Sequence, residues 1–180
     1  MRKHNFFPGP ATLPFEVIQE AAAGLVDYNG MGVSIAEISH RSPIFTDLLD
    51  EANALVKKLY GLSDDWAVLW LPGGASSQLT VAPMNLTEPN DKIAFVDTGF
   101  WAGRAIEAAA NEANAFFLAS SKDTNYDRIP KITDVQGARY LHVVSNETID
   151  GTQYHDFPEV DVPLVADMTS DFLSRPLPME

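Results

Sequence analysis

Short apolar runs alternate along this chain with longer stretches of helical periodicity, and that alternation restricts the fold more than any single motif. The runs fall at 67–71 (AVLWL), 93–96, 115–118, 140–144 and 164–166. They are short and nearly continuous, which fits strands covered on both faces of a parallel sheet. Residues 76–86 and 101–113 carry helical patterns between the runs, and Pro83 must bend or end the first of them. Two further helices are expected before the first run. Residues 13–27 place Val17, Ile18, Ala21, Ala22 and Leu25 on one face, with Pro14 suited to the first turn and Gly30 beyond the end. Residues 42–60 carry the clearest signal. Ser42 can cap, Pro43 fits the first position, and Phe45, Leu48, Leu49, Ala52, Leu55, Val56 and Leu59 form one stripe. Acidic residues come early in this helix, Lys57 and Lys58 come late, and Gly61 follows, as the helix dipole favours. Residues 121–136 read as a polar surface connection, and 150–158 as either a hairpin or a loop. The expected fold class is therefore α/β, a mostly parallel sheet flanked by helices.

Composition narrows the function. The chain has 180 residues, about one domain at roughly 150 residues each. Twelve Lys and Arg against 25 Asp and Glu leave a net charge of −13, which argues against nucleic acid and anionic membranes as partners. A local anion site remains open, because backbone amides and one or two Arg suffice. There is no cysteine, so disulfides, thiolate metal sites and a cysteine nucleophile are excluded. The four histidines lack H-E-x-x-H spacing, and no metal is expected. The opening MRKHNFFPGP has no apolar core of a secretory signal, and no run approaches the ~20 apolar residues of a membrane span. A cytoplasmic location is the expectation.

Ligands of open α/β sheets gather at the carboxyl ends of the strands. After the run at 67–71 comes Pro72-Gly73-Gly74-Ala75-Ser76-Ser77; after 93–96, Asp97-Thr98-Gly99-Phe100-Trp101; after 140–144, Ser145-Asn146-Glu147-Thr148; after 164–166, Asp167. In a parallel sheet a glycine loop, an aromatic, a hydroxyl and a carboxylate would share one rim. Each residue also has a plainer reading. The glycines suit a tight strand-to-helix turn, with no P-loop or G-x-G-x-x-G pattern present. Trp101 suits a core, Thr148 a turn, and Asp167 a cap over Ser170. Asp167 resists that reading best, since a carboxylate directly after an apolar strand is at least half-buried and needs a partner. Ser39-His40-Arg41-Ser42 is either a solvated loop before a cap or a clamp for a carboxylate or phosphate. His142, inside an apolar strand, reads as a satisfied core or interface histidine.

Seven stretches together carry a family resemblance: NFFPGPATLP, DYNGMGVSIAEISHRS, LPGGASSQ, APMNL, DTGFWA, ARYLHVVSNETIDGTQYHDFP and VPLVADMTSDFLSRP. They cover nearly the whole chain in order, and it resembles the phosphoserine aminotransferases, class V enzymes of the aspartate-aminotransferase-like fold that use pyridoxal phosphate. The resemblance implies that Ala75 and Ser76 bind the cofactor phosphate, Trp101 stacks on the pyridine ring, Thr148 bonds its phenolic oxygen and Asp167 pairs with its ring nitrogen. It implies that His40 and Arg41 bind the substrate's phosphate or carboxylate, possibly across a dimer interface. The implied reaction moves an amino group from glutamate to 3-phosphohydroxypyruvate, giving 2-oxoglutarate and phosphoserine, in serine biosynthesis. Small-molecule substrates and a homodimer come with it.

One departure limits the carry-over. The family's Schiff-base lysine follows the last matched stretch, and the six lysines here (Lys3, Lys57, Lys58, Lys92, Lys122, Lys131) all precede Asp167. The chain is thus expected to be the first half of such an enzyme, with no catalytic lysine of its own and no complete transamination when alone. Residues 1–15 would be the N-terminal segment of the small domain, and 16–180 a partial, truncated large cofactor-binding domain. The rival readings are another class V enzyme, such as an alanine–glyoxylate aminotransferase or a cysteine desulfurase relative, and a non-catalytic half-protein that binds a phosphorylated ligand or a partner chain.

Overall fold

The computed structural model describes residues 2–7, 11–177 and 179. Part of the NFFPGPATLP stretch and of the expected 1–15 segment (Met1, Pro8, Gly9 and Pro10) lies outside them, as do Pro178 and Glu180. The chain divides into two units, Met1–Leu69 with Pro176–Glu180, and Trp70–Arg175.

The first unit is helical. Helix α1 (Phe15–Val26) starts after Pro14, whose ring holds φ at −53°, a ready-made helix entry. None of its residues is buried, although its sequence carries a stripe: Phe15, Val17 and Leu25 each stand about half exposed. Two short 3₁₀ turns follow, Tyr28–Gly30 and Ile35–Glu37. The second opens with a capping box, in which Ser34 and Glu37 satisfy each other's backbone amides. Helix α2 (Pro43–Tyr60) follows its sequence signals at both ends. Ser42 Oγ accepts the Phe45 amide at 3.2 Å, Lys57 and Lys58 fill the last turn, and Gly61 takes a left-handed conformation. Val56 and Tyr60 are its buried residues.

The second unit is α/β. Helix α3 (Gly74–Leu86) leads to strand β1 (Lys92–Asp97), helix α4 (Phe100–Ala109) and strand β2 (Asn114–Ser120). Strands β3 (Tyr140–Val144) and β4 (Leu164–Asp167) complete a four-stranded sheet in the order β2-β1-β3-β4. All three pairings are parallel, so every strand ends at the same edge. The sheet buries both faces. Ala94, Val96, Leu141 and Val143 face one apolar cluster, and Ile93, Phe95 and Tyr140 face the other, with Ala105 and Ala109 of α4. Two-sided burial is why these strands read as continuous apolar runs. Each fully buried Phe, Ile or Leu contributes about 1.5–3 kcal/mol.

Three sequence expectations are corrected. Residues 67–71 form no strand. An apolar run becomes a strand only where a neighbour accepts and donates its backbone hydrogen bonds, and here Leu69, Trp70 and Leu71 are 73%, 59% and 54% exposed. Helix α3 begins at Gly74 and runs through Pro83 to Leu86. Pro83 sits in the last turn, where its carbonyl still takes the Thr87 amide at 3.1 Å. Helix α4 stops at Ala109, four residues short, because the amides of Glu112 and Ala113 both close on the Ala109 carbonyl. Of the two readings open for 150–158, the loop holds: Gln153 makes one isolated antiparallel bridge, to Asn146.

Candidate functional site

The second unit carries a cavity of about 300 Å³ lined by Ala75, Gln78 and Leu79 of α3, His142 of β3, and Asp167, Met168 and Thr169 at and after the end of β4. Two elements set its walls. Helix α3 opens at Gly73, whose φ is 95°, and among the described residues no side chain accepts from its first amides. A Cβ at Gly73 would lie 2.4 Å from Ser77 Oγ, so only glycine lets the turn close there. Uncapped amides at a helix N-terminus are the usual seat of a phosphate. Across the cavity, Asp167 is the last residue of β4 and pairs in register with Val144.

Asp167 is half-buried, as its position after an apolar strand requires. Oδ1 accepts the Thr169 amide at 2.9 Å and the Thr169 hydroxyl at 2.5 Å. Among the described residues nothing donates to Oδ2. The local capping expected over Ser170 falls on Thr169 instead, and it occupies one carboxylate oxygen only. His142 is 6% exposed, and its ring centroid lies 4.8 Å from that of Phe95. Burial pushes its pKa down to about 4, and the Asp167 carboxylate opposes that only in part. The expectation of a satisfied core histidine fails in one respect: Nδ1 has no hydrogen-bond partner among the described residues.

A second cluster sits where β1 and β3 end. Trp101 Nε1 donates to Thr148 Oγ1 at 2.8 Å, joining residues 47 apart in sequence. Beneath them, Glu147 Oε2 accepts the Trp101 amide and Oε1 the Ala102 amide, each at 2.9 Å. Asp150 Oδ2 takes the Phe100 amide at 2.7 Å. Two carboxylates of one loop thus cap the N-terminus of α4, where the dipole favours negative charge. Burial pushes the Glu147 carboxyl above its ordinary value, and the two amides draw it part of the way back.

The structure therefore brings Ala75 and Asp167 to one cavity, and Trp101 and Thr148 to one hydrogen bond. Ser76 is exposed one residue after Ala75, outside the cavity lining. His40 and Arg41 belong to the first unit, exposed in the turn before α2; the Arg41 amide donates to Ser39 Oγ at 3.2 Å. Sequence reasoning missed Glu147. Its only signal was an acidic residue in the loop three positions past the end of a buried strand, and nothing local shows that the facing element is a helix N-terminus.

Residues 4–180 match the family Aminotransferase class-V. The chain belongs to that family. This class-V aminotransferase chain is 46% identical over 179 residues to a phosphoserine aminotransferase of Flavobacterium psychrophilum, covering 98% of the chain and 50% of that protein. The solved structure of phosphoserine aminotransferase from Bacillus circulans subsp. alkalophilus superposes with a TM-score of 0.92 at 42% identity, covering 98% of this chain and 50% of that one. A pyridoxal-phosphate-bound phosphoserine aminotransferase from Trichomonas vaginalis superposes with a TM-score of 0.88 at 30% identity, covering 98% and 53%. The class-V chain thus spans about half the length of the relatives it matches. Its fold is the aminotransferase α/β fold expected from the sequence, in its N-terminal half.

Proposed function

We propose that this chain is the cofactor-binding part of a phosphoserine aminotransferase, acting on glutamate and 3-phosphohydroxypyruvate. The observation that carries the reading is the shared cavity of Ala75 and Asp167, which sets uncapped helix amides opposite a half-buried carboxylate. That donor set fits pyridoxal phosphate. The α3 amides at Ala75 and Ser76 hold a dianionic phosphate, and Asp167 holds a proton on a pyridine nitrogen. When bound, pyridoxal phosphate supplies an electron sink for the substrate's α-carbon. The chain's own part is to bind and orient. The Asp167 carboxylate keeps the ring nitrogen cationic, Thr148 bonds the phenolic oxygen, and the Trp101 indole restrains the ring face. His40 and Arg41 are assigned to the substrate's phosphate or carboxylate, with Arg offering a planar fork.

The same reading places residues 1–15 with a small domain and 16–180 with a large one. It implies a homodimer in the cytoplasm. The exposed apolar side chains of α1 support a further protein contact, and the absence of cysteine fits a reducing compartment. Among the described residues no helix is long and apolar enough to cross a membrane.

Equilibrium dialysis of pyridoxal phosphate against the chain tests the binding. Saturable binding is expected, weakened about tenfold or more by Asp167→Ala. Equal binding by the two proteins would sink the assignment. The substrate is tested on the gene's complete product, with glutamate and phosphohydroxypyruvate compared against alanine and glyoxylate. Preference for the second pair would favour the alanine–glyoxylate reading.

A further inference from the structure

We infer that Glu147 is the positioning residue for the Trp101–Thr148 pair, holding the indole and the hydroxyl as one unit so that the Thr148 proton is presented to the ligand's phenolic oxygen. The inference rests on the cofactor reading above and goes beyond it.

Glu147 is 1% exposed and forms no ion pair among the described residues. A buried carboxylate without a cation is costly, so its position has to be held by other contacts. Those contacts are two successive amides of α4, one on each carboxylate oxygen, both at 2.9 Å. The backbone of Glu147 is pinned as well. Its amide donates to the Thr152 carbonyl and its carbonyl accepts from Gly151, both at 2.8 Å. The residue gripped is Trp101 and the next residue along the loop is Thr148, the same two that share the indole hydrogen bond. Two bridges therefore join α4 to the loop within two residues, one through backbone and one through side chains. The packing is too close for a side chain at Gly99, where a Cβ would lie 2.8 Å from Glu147 Cδ.

The consequence for Thr148 follows from its chemistry. An indole N–H is only a donor, so it occupies a lone pair of Oγ1 and leaves the hydroxyl proton to be given elsewhere. Thr148 is exposed, so a ligand oxygen can take that proton. The loop starts beside the cavity, since the Ser145 amide donates to the Asp167 carbonyl at 2.9 Å. A proton offered to a phenolic oxygen favours its ionised form.

The test uses the isotope-labelled chain and pyridoxal phosphate itself. In the wild type, the Trp101 indole N–H should exchange slowly, and the bound ligand's absorbance should report a lowered phenol pKa. Glu147→Gln keeps the size and one acceptor oxygen. It should speed exchange of that indole N–H about tenfold, and it should move the phenol pKa toward the value found with Thr148→Val. A Glu147→Gln protein that keeps its far-UV dichroism, exchange rate and phenol titration would show Glu147 to be a helix cap only. If Glu147→Gln does not fold, Trp101→Phe removes the donor and leaves Glu147 intact. An unshifted phenol titration in that variant would overturn the inference, and a shift like that of Thr148→Val would support it. If the wild type binds no pyridoxal phosphate, the cofactor reading fails, and the proton-presenting role fails with it. The clamp on the indole is then judged by its exchange rate alone.

Discussion

Arg175 grips Asp171 at two points, with Nε 3.1 Å from Oδ1 and Nη2 2.9 Å from Oδ2. Asp171 is fully buried, and Ser174 Oγ adds a third hydrogen bond at 2.8 Å. Burial alone would raise the carboxyl's pKa. The bonds from Arg175 and Ser174 outweigh it and hold the carboxyl below its ordinary value of 3.8. Arg175 also donates to the Tyr154 carbonyl, so the pair ties the end of the second unit to the loop after β3.

Arg175→Met should therefore cost about 3 kcal/mol at pH 7, because it strands a buried carboxylate. The carboxyl's pKa is depressed in the fold, so the ion pair's contribution is full above pH 3.8 and fades as pH falls through the lower folded value. Urea unfolding at pH 7 and in the acid range checks both statements. A variant as stable as the wild type at neutral pH would contradict them.

His142 should make the fold acid-sensitive in a defined window. Its imidazole is neutral in the native state down to pH about 4, whereas the unfolded chain takes up the proton near 6.5. The unfolded state then binds more protons, so stability is complete above pH 6.5 and is lost as pH falls toward 4. The loss is of the order of 3 kcal/mol. His142→Gln has no such group, and its stability should fall less over the same range. Parallel pH profiles for the two proteins would refute the assignment.

Gly99→Ala should destabilise the second unit. The added Cβ would stand 2.4 Å from Asp150 Oδ2 and 2.8 Å from Glu147 Cδ, at a backbone φ of 155°. Overpacking of this kind costs about 1–3 kcal/mol. A thermal melt should show the loss, together with faster exchange of the Phe100 and Trp101 amides.

Ser42→Ala should cost about 1 kcal/mol, since Ser42 Oγ accepts the Phe45 amide at the start of α2. Ser42→Asp, which keeps an acceptor there, should restore most of it. Chemical denaturation of the pair decides, and equal losses in both would rule out the capping role.

Much of the fold was legible because its signals are local. The stripe of α2, its Ser42 cap and its Gly61 stop lie within one stretch, and the structure places the helix at Pro43–Tyr60. The runs at 140–144 and 164–166 appear as β3, buried throughout, and β4, half-buried beyond Leu164. The site was legible only in part. Asp167 could be singled out because a charge that ends an apolar run is conspicuous. His142 could be seen to be buried, but its unpartnered Nδ1 depends on which groups surround it. The role of Glu147 gave no local signal, because its partners lie 45 and 46 residues away.

The sequence by itself determined most of the elements, their α/β order and the residues that follow each strand, since periodicity, caps and turn residues act over a few positions. Tertiary structure decided that 67–71 forms no strand and that Ala75 and Asp167 wall one cavity. It also decided that the Glu147 carboxylate meets the amides of α4. Those outcomes depend on strand order and register, which bring distant residues together by closing long loops, and no short window of sequence carries that information.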